Sequence, residues 1–199
     1  MEKCKVLGSL LDTDADIQRR KQLAMPAMKK LDRIFSDGRL KHKFKIRIFV
    51  ACVESIFLYN SELWTLTKTK EEKIDAYQRR LLRMAINIKW PRKISSEKLY
   101  ETTKETKWSE KIRTRRIRWL GHALRLPDET PAKMALEEAQ RHVPKPRGGQ
   151  KTTWLTVIKK DLHMTTLEEA TVLAQNRDLW RKEVVYASAP CAQARSASL

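Results

Sequence analysis

Apolar residues recur along this chain at intervals of three and four, and little interrupts them: 199 residues contain only five Gly and seven Pro. That interval belongs to helices that bury one face. It predicts an all-α fold, a helical bundle of about six to seven helices with a short extended N-terminal segment and a disordered C-terminal tail. Cys4 to Leu10, with Gly8 inside it, reads as the extended segment. Asp12 is placed to cap a helix reaching about Phe35, with Pro26 a kink inside it and Asp37-Gly38 its stop. A second helix, from about Lys41 to Leu58, is apolar over a wide arc (Phe44, Ile48, Phe49, Val53, Phe57) and is expected to be the most buried.

Thr69-Lys70-Glu71-Glu72 has the form of a capping box. The helix it opens carries Ile74, Tyr77, Leu81, Leu82, Ala85 and Ile88 on one stripe, and Trp90-Pro91 closes it. A short helix follows over Ser95 to Thr103. The next, Ser109 to Leu126, is stopped by Pro127 and turns Ile112, Trp119, Leu120, Ala123 and Leu124 inward. Arg141 to Gln150, which holds both Pro and Gly, reads as a basic linker. A helix over Thr152 to His163 comes next, and a second capping box, Thr166 to Glu169, opens a last helix to about Tyr186. Residues 187–199 are small and polar and are expected to form the tail.

Charge narrows the function. Forty-two Lys and Arg against 24 Asp and Glu leave a net charge of +18. An excess of that size favours a polyanionic partner, nucleic acid before an anionic membrane surface. No apolar run is long enough to span a membrane, and MEKCKVLGSLLDTDAD is too quickly acidic for a secretory signal. Cys4, Cys52 and Cys191 are odd in number and far apart, which fits free thiols in a reducing compartment. The chain is therefore expected inside the cell, nuclear or cytoplasmic, and not secreted.

The positive charge is concentrated. Between Lys107 and Arg125 seven cations face one acid, Glu110, and Arg39, Lys41, Lys43, Lys45 and Arg47 form another run. The candidate nucleic-acid contacts are Lys111, Arg113, Arg115, Arg116, Arg118 and Arg125 on one helix, Arg79, Arg80 and Arg83 on another, and Arg147 and Lys151 in the linker. Guanidinium groups bind phosphate in bidentate fashion and stay charged at any relevant pH. The competing interpretation is a solvated basic face. Trp119 sits at a buried period and is expected to anchor a core more than to stack on bases. Asp12, Asp14 and Asp16 are better read as complementing a helix N-terminus than as a cation site. His122 has no Cys or His at zinc-ligand spacing, and a histidine bonded within the helix packing is expected there; no metal ligands are assigned. The linker lacks the Gly-Lys-Ser/Thr ending of a nucleotide-binding loop. No constellation of Ser, His, Cys and carboxylates suggests catalysis, so no catalytic residue is assigned.

Five strings, in order, resemble the region downstream of the palm in reverse transcriptases of non-LTR (LINE-type) retrotransposons. Val6-Leu7-Gly8-Ser9 is similar to the family's Tyr-Leu-Gly-Ser turn. Asp16-Ile17-Gln18-Arg19-Arg20 resembles its Asp-Ile-x-x-Arg segment. Leu58-Tyr59-Asn60-Ser61-Glu62-Leu63-Trp64 looks like Leu-Tyr-Gly-Ser-Glu-x-Trp with Asn60 in place of Gly. Arg118-Trp119-Leu120-Gly121-His122-Ala123-Leu124-Arg125-Leu126-Pro127 is similar to Arg-Trp-Leu-Gly-His-x-x-Arg-x-Pro. Arg147-Gly148-Gly149-Gln150-Lys151-Thr152-Thr153-Trp154 resembles Arg-Gly-Arg-Pro-x-x-Thr-Trp but departs from it at Gly149-Gln150.

The resemblance implies a primer-grip-like remnant over 1–11 that includes Gly8 and a thumb-like helical region over 12–139; the local composition adds a basic linker over 140–151, a C-terminal helical pair over 152–186 and the tail over 187–199. The resemblance also implies RNA or an RNA–DNA hybrid as partner, a palm-containing chain as a second one, and no membrane. In such enzymes paired carboxylates of an Ala-Asp-Asp turn hold the metal ions, whereas this sequence contains no Asp-Asp pair. Mg²⁺ is thus expected only for a palm-containing parent, no cofactor is expected for this chain, and by itself it is not expected to be an RNA-directed DNA polymerase. Three other roles stay open at this point: a helical protein-interaction module, a degenerate relic without function, and part of an active RNA-directed DNA polymerase.

Overall fold

The structure, a computed structural model, describes residues 5–141 and 152–188. Helices dominate, as the apolar spacing requires. Two short strands, β1 (Lys5–Val6) and β2 (Ser9–Leu10), pair antiparallel. Leu7 and Gly8 between them have φ of +46° and +85°, the two positive values of a tight hairpin turn, and Gly8 takes its value without a Cβ penalty. The helices are α1 (Thr13–Lys30), α2 (Asp32–Ser36), α3 (His42–Phe49), α4 (Ser55–Phe57), α5 (Lys68–Ala85), α6 (Ser96–Thr103), α7 (Trp108–Leu124), α8 (Pro131–Arg141), α9 (Trp154–Leu162), α10 (Leu167–Gln175) and α11 (Arg177–Ser188). A π-helical turn, Val50–Glu54, joins α3 to α4 in one rod.

These helices outnumber the six to seven expected, for local reasons. α1 passes through Pro26, and the break comes at Leu31 (φ −94°, ψ 2°). Pro131, at the first position of α8, starts a helix that the apolar spacing does not reveal; proline suits that position because its missing N–H would be unpaired there. The expected last helix is divided at Asn176, whose Oδ1 accepts from the N–H of Asp178 (3.0 Å) and Leu179 (3.2 Å) and so caps α11. Asp12 caps α1 by accepting from Ala15 N–H (3.0 Å), and Ser95 and Thr153 cap α6 and α9 in the same way (both 3.2 Å). The two capping boxes fare less well. α5 already begins at Lys68, which leaves Thr69 inside its first turn. Thr166 stands at the N-cap of α10, but its side chain makes no capping bond. Gln140 and Arg141 belong to α8, and 187–188 to α11. The rest of the expected linker, 142–151, and of the tail, 189–199, lies outside the described residues.

The chain divides into two compact units: residues up to Ser61 together with Lys68–Ser109, and Glu62–Thr67 together with the chain from Glu110 onward. In the first, Phe35, Phe49, Phe57, Ile74, Leu81 and Trp108 are fully or almost fully buried. Trp108 stacks on Phe57 with ring centroids 4.3 Å apart, and its indole N–H donates to Glu54 Oε2 at 2.7 Å. Stacking of this kind adds about 0.5–1.5 kcal/mol beyond burial. Lys45, in one of the basic runs of the sequence, is also buried and donates from Nζ to the Phe35 carbonyl at 2.6 Å, at the end of α2. In the second unit, Ile117, Leu120, Leu136, Ile158, Ala170 and Trp180 belong to one core drawn from α7–α11.

Candidate nucleic-acid interface

α7 carries the densest positive charge, and α5 fixes where it starts. Asp75 accepts from Ser109 N–H (2.9 Å) and Ser109 Oγ (2.7 Å). Gln78 Oε1 accepts from Trp108 N–H (3.0 Å), while its amide nitrogen donates to the Thr106 carbonyl (2.8 Å). A buried carboxylate and an amide thus serve the first N–H groups of α7, the positive end of its dipole.

The helical period then divides the cations of α7 into two sets. Arg116 lies one turn from Ile112 and one turn from Leu120, both fully buried, and is fully buried itself. Its Nη1 pairs with Asp161 Oδ2 of α9 at 2.5 Å, and Arg113 Nε stands 3.3 Å from Asp161 Oδ1. Burial pushes the Asp161 carboxyl above its ordinary value, against the downward pull of Arg116 and Arg113. Arg116 and Arg113, expected at a phosphate surface, therefore hold α7 to α9. Arg116 is wholly withdrawn from such a surface because its position repeats the period of the core stripe.

Lys111, Arg115, Arg118 and His122 recur at intervals of four, three and four, the opposite stripe of α7. Arg115, Arg118 and His122 are exposed and Lys111 is half-buried. His122, expected within the helix packing, is on the outside. Arg125 follows the end of the helix, half-buried, and donates from Nη1 to the Ala174 carbonyl (3.0 Å) in the last turn of α10, a C-terminal helix cap.

In the first unit, Arg79, Arg80 and Arg83 share the outer face of α5. Arg80 is exposed and the other two are half-buried. Arg83 Nη2 donates to the Ile94 carbonyl at 3.3 Å. Glu97 is held below the ordinary carboxyl value by its own backbone N–H and the Ser95 hydroxyl, with a further contribution from Arg79. Arg147 and Lys151 lie outside the described residues.

The three acids near the N-terminus have separate structural partners. Asp12 caps α1; Asp14 pairs with Lys70 at 2.9 Å; Asp16, buried, accepts from Leu10 N–H at 3.0 Å and stands 3.7 Å from Arg20. Among the described residues, no group of three or more His, Cys, Asp or Glu is arranged to hold a metal ion, and no helix is long and apolar enough to cross a membrane.

The strings singled out in the sequence meet one another. Arg20 donates to the Gly8 carbonyl and to Ser9 Oγ (both 2.8 Å), Asn60 donates to Ser9 Oγ (3.2 Å), Tyr59 donates to the Leu7 carbonyl (3.1 Å), and Arg20 lies over the Tyr59 ring at 4.6 Å. Arg19 also donates to the Gly8 carbonyl. In the second unit, Trp119, half-buried, packs edge-on against Trp154 at 5.1 Å, and Trp154 donates to the Glu62 carbonyl at 2.8 Å. Trp119 is thus a packing residue. Comparison of the chain with protein-family models, curated proteins and solved structures finds no match.

Proposed function

We propose that this chain is a nucleic-acid-binding helical segment of retroelement origin, similar to the C-terminal, thumb-side part of a non-LTR reverse transcriptase, that grips RNA or an RNA–DNA hybrid by its phosphates. The observation that carries this reading is the outer stripe of α7: exposed Arg115 and Arg118 in line with Lys111 and His122, on a helix whose other face is buried. The retroelement part rests on the resemblance of the five strings, which come in the family's order along the chain. The sequence has no Asp-Asp pair, so the proposed role is grip without polymerase chemistry, any Mg²⁺ belonging to a palm-containing partner chain.

Titration of labelled single-stranded RNA, an RNA–DNA hybrid and duplex DNA against salt tests this. If about six phosphates are neutralised, log K falls against log salt with a slope of about −4 to −5. Sequence preference is expected to be weak, because phosphate contacts carry no base information. Absence of binding at low salt, or a flat salt response, overturns the proposal. A protein-interaction role is favoured by one observation: Val172, Leu179 and Val185 on α10 and α11 are exposed at 75%, 47% and 69%. Self-association that survives high salt, without nucleic-acid binding, decides for that role.

A further inference from the structure

We propose that the turn at Lys89–Lys93 is a stacking platform for an unpaired base of single-stranded nucleic acid. Trp90 is 88% exposed, more than any other large apolar side chain among the described residues. Arg92 and Lys93 beside it are exposed too, Lys89 adds a third cation to the turn, and no acid occurs between Asn87 and Ser95. The turn is built to hold them together. Arg92 N–H donates to the Lys89 carbonyl at 3.0 Å, which closes the four-residue turn around Trp90 and Pro91. Ile88 N–H donates back to the Arg83 carbonyl at 2.9 Å, and the Arg83 guanidinium holds the Ile94 carbonyl on the far side of the turn. Arg83 therefore serves as a positioning residue for the turn.

An indole face flanked by cations is the local composition that binds single strands: each base offers a π-face, and the cations follow the backbone. A duplex keeps its base faces covered by their neighbours. A protein partner that buried Trp90 would have to accommodate three adjacent cations. A lipid surface asks for a broader apolar contact than one indole, and Ile88 and Ile94 on either side are half-buried. The platform rests on the nucleic-acid reading above and adds a preference for unpaired strands.

The test uses the full chain, with a 12-nucleotide oligouridylate, a 12-base-pair duplex and vesicles rich in phosphatidylserine as probes. Trp90→Ala is expected to weaken oligouridylate binding by about tenfold and leave the duplex unchanged, while Trp90→Phe keeps most of the single-strand affinity. Because Trp90 is exposed, the circular-dichroism melting curve is expected to be unchanged. If the unsubstituted protein binds neither nucleic acid, the nucleic-acid reading itself fails. If it binds both and Trp90→Ala has no effect, or weakens both equally, the platform alone is overturned. Loss of vesicle binding in Trp90→Ala with oligouridylate binding intact assigns the turn to a membrane and also overturns it.

Discussion

Gly121 and Trp180 occupy the same space: a Cβ built on Gly121 would stand 2.0 Å from Trp180 Nε1 and 2.4 Å from Cε2. The indole of α11 lies on the backbone of α7, and the glycine inside an otherwise strong helix is explained by that approach. Gly121→Ala offers a gain of about 1 kcal/mol in helix propensity but forces a rigid, buried ring to move, which costs about 1–3 kcal/mol or more. The substitution is expected to be net destabilising in urea unfolding. In the background of Trp180→Ala the same change is expected to become neutral or stabilising, and a double-mutant cycle measures the coupling. Equal effects in both backgrounds would show that the close approach carries no weight.

Arg116→Met would leave the Asp161 carboxylate buried with Arg113 as the guanidinium still beside it. Breaking a buried pair from one side costs about 3–5 kcal/mol. The pH dependence has a definite sign. Asp161 already has a folded value above the ordinary one, and removing Arg116 raises it further. Its contribution to stability is then full below the unfolded value and is lost as pH rises through the raised folded value. The deficit of Arg116→Met is therefore expected to be largest at neutral pH and to narrow on acidification. Arg116→Met with Asp161→Leu removes both charges and is expected to return near to the parent stability, since matched apolar replacements of buried pairs are often neutral.

Nucleic-acid binding is expected to respond to the other face of the same helix. Arg115→Ala with Arg118→Ala should weaken RNA binding across sequences and reduce the salt slope by about 1 for each phosphate no longer neutralised, with helical content unchanged. The Arg116→Met, Asp161→Leu pair is expected to leave affinity as it was. Were the buried pair to affect binding more than the exposed one, the assignment of the outer stripe would fall.

The class of fold is legible because the interval of three and four is a direct consequence of burying one helical face, and Asp12 acts as the cap its position suggests, whereas the caps supplied by Ser95 and Thr153 show only in the structure. The expected breaks are less exact. Asn176 cuts a helix at a point where neighbouring apolar residues continue the period, and its capping role depends on a backbone geometry that the residue alone does not specify. In the candidate site, the stretch from Lys111 to Arg125 reads as one basic surface, yet the signal that divides it is present. Ile112, Arg116 and Leu120 are four residues apart, which places Arg116 in the core stripe and demands a buried anion. That the anion is Asp161, 45 residues later, is a tertiary fact without a local pattern. Trp90 is hidden for the opposite reason, since Trp90-Pro91 reads as a helix stop and the exposure of the indole depends on how the turn is held.

Asp37 provides a titration that is independent of any ligand. Its carboxylate accepts from Arg39 Nε (3.1 Å), Nη2 (2.9 Å) and backbone N–H (2.9 Å). The side-chain bond to Arg39, followed by the backbone bond, lowers its pKa from the ordinary 3.8 to about 2. A lowered folded value means that the contribution is present above the ordinary value and is lost as pH falls towards about 2. Carboxyl-detected NMR is expected to find Asp37 near that value, and Arg39→Ala to move it back towards 3.8.

The start of α7 yields the last expectation. Asp75, 7% exposed, accepts from both the N–H and the hydroxyl of Ser109 and faces the positive end of the helix that carries the candidate interface. Asp75→Ala removes both acceptors and the dipole complement, and losing an N-terminal cap costs about 0.5–2 kcal/mol. Asp75→Asn keeps one acceptor without the charge and is expected to lose less. Hydrogen exchange distinguishes a cap from general packing: the Ser109 amide should exchange markedly faster in Asp75→Ala, with core amides such as Leu81 slowed or hastened only as far as global stability changes. If Ser109 exchanges no faster than those core amides, Asp75 does not act as the cap of α7.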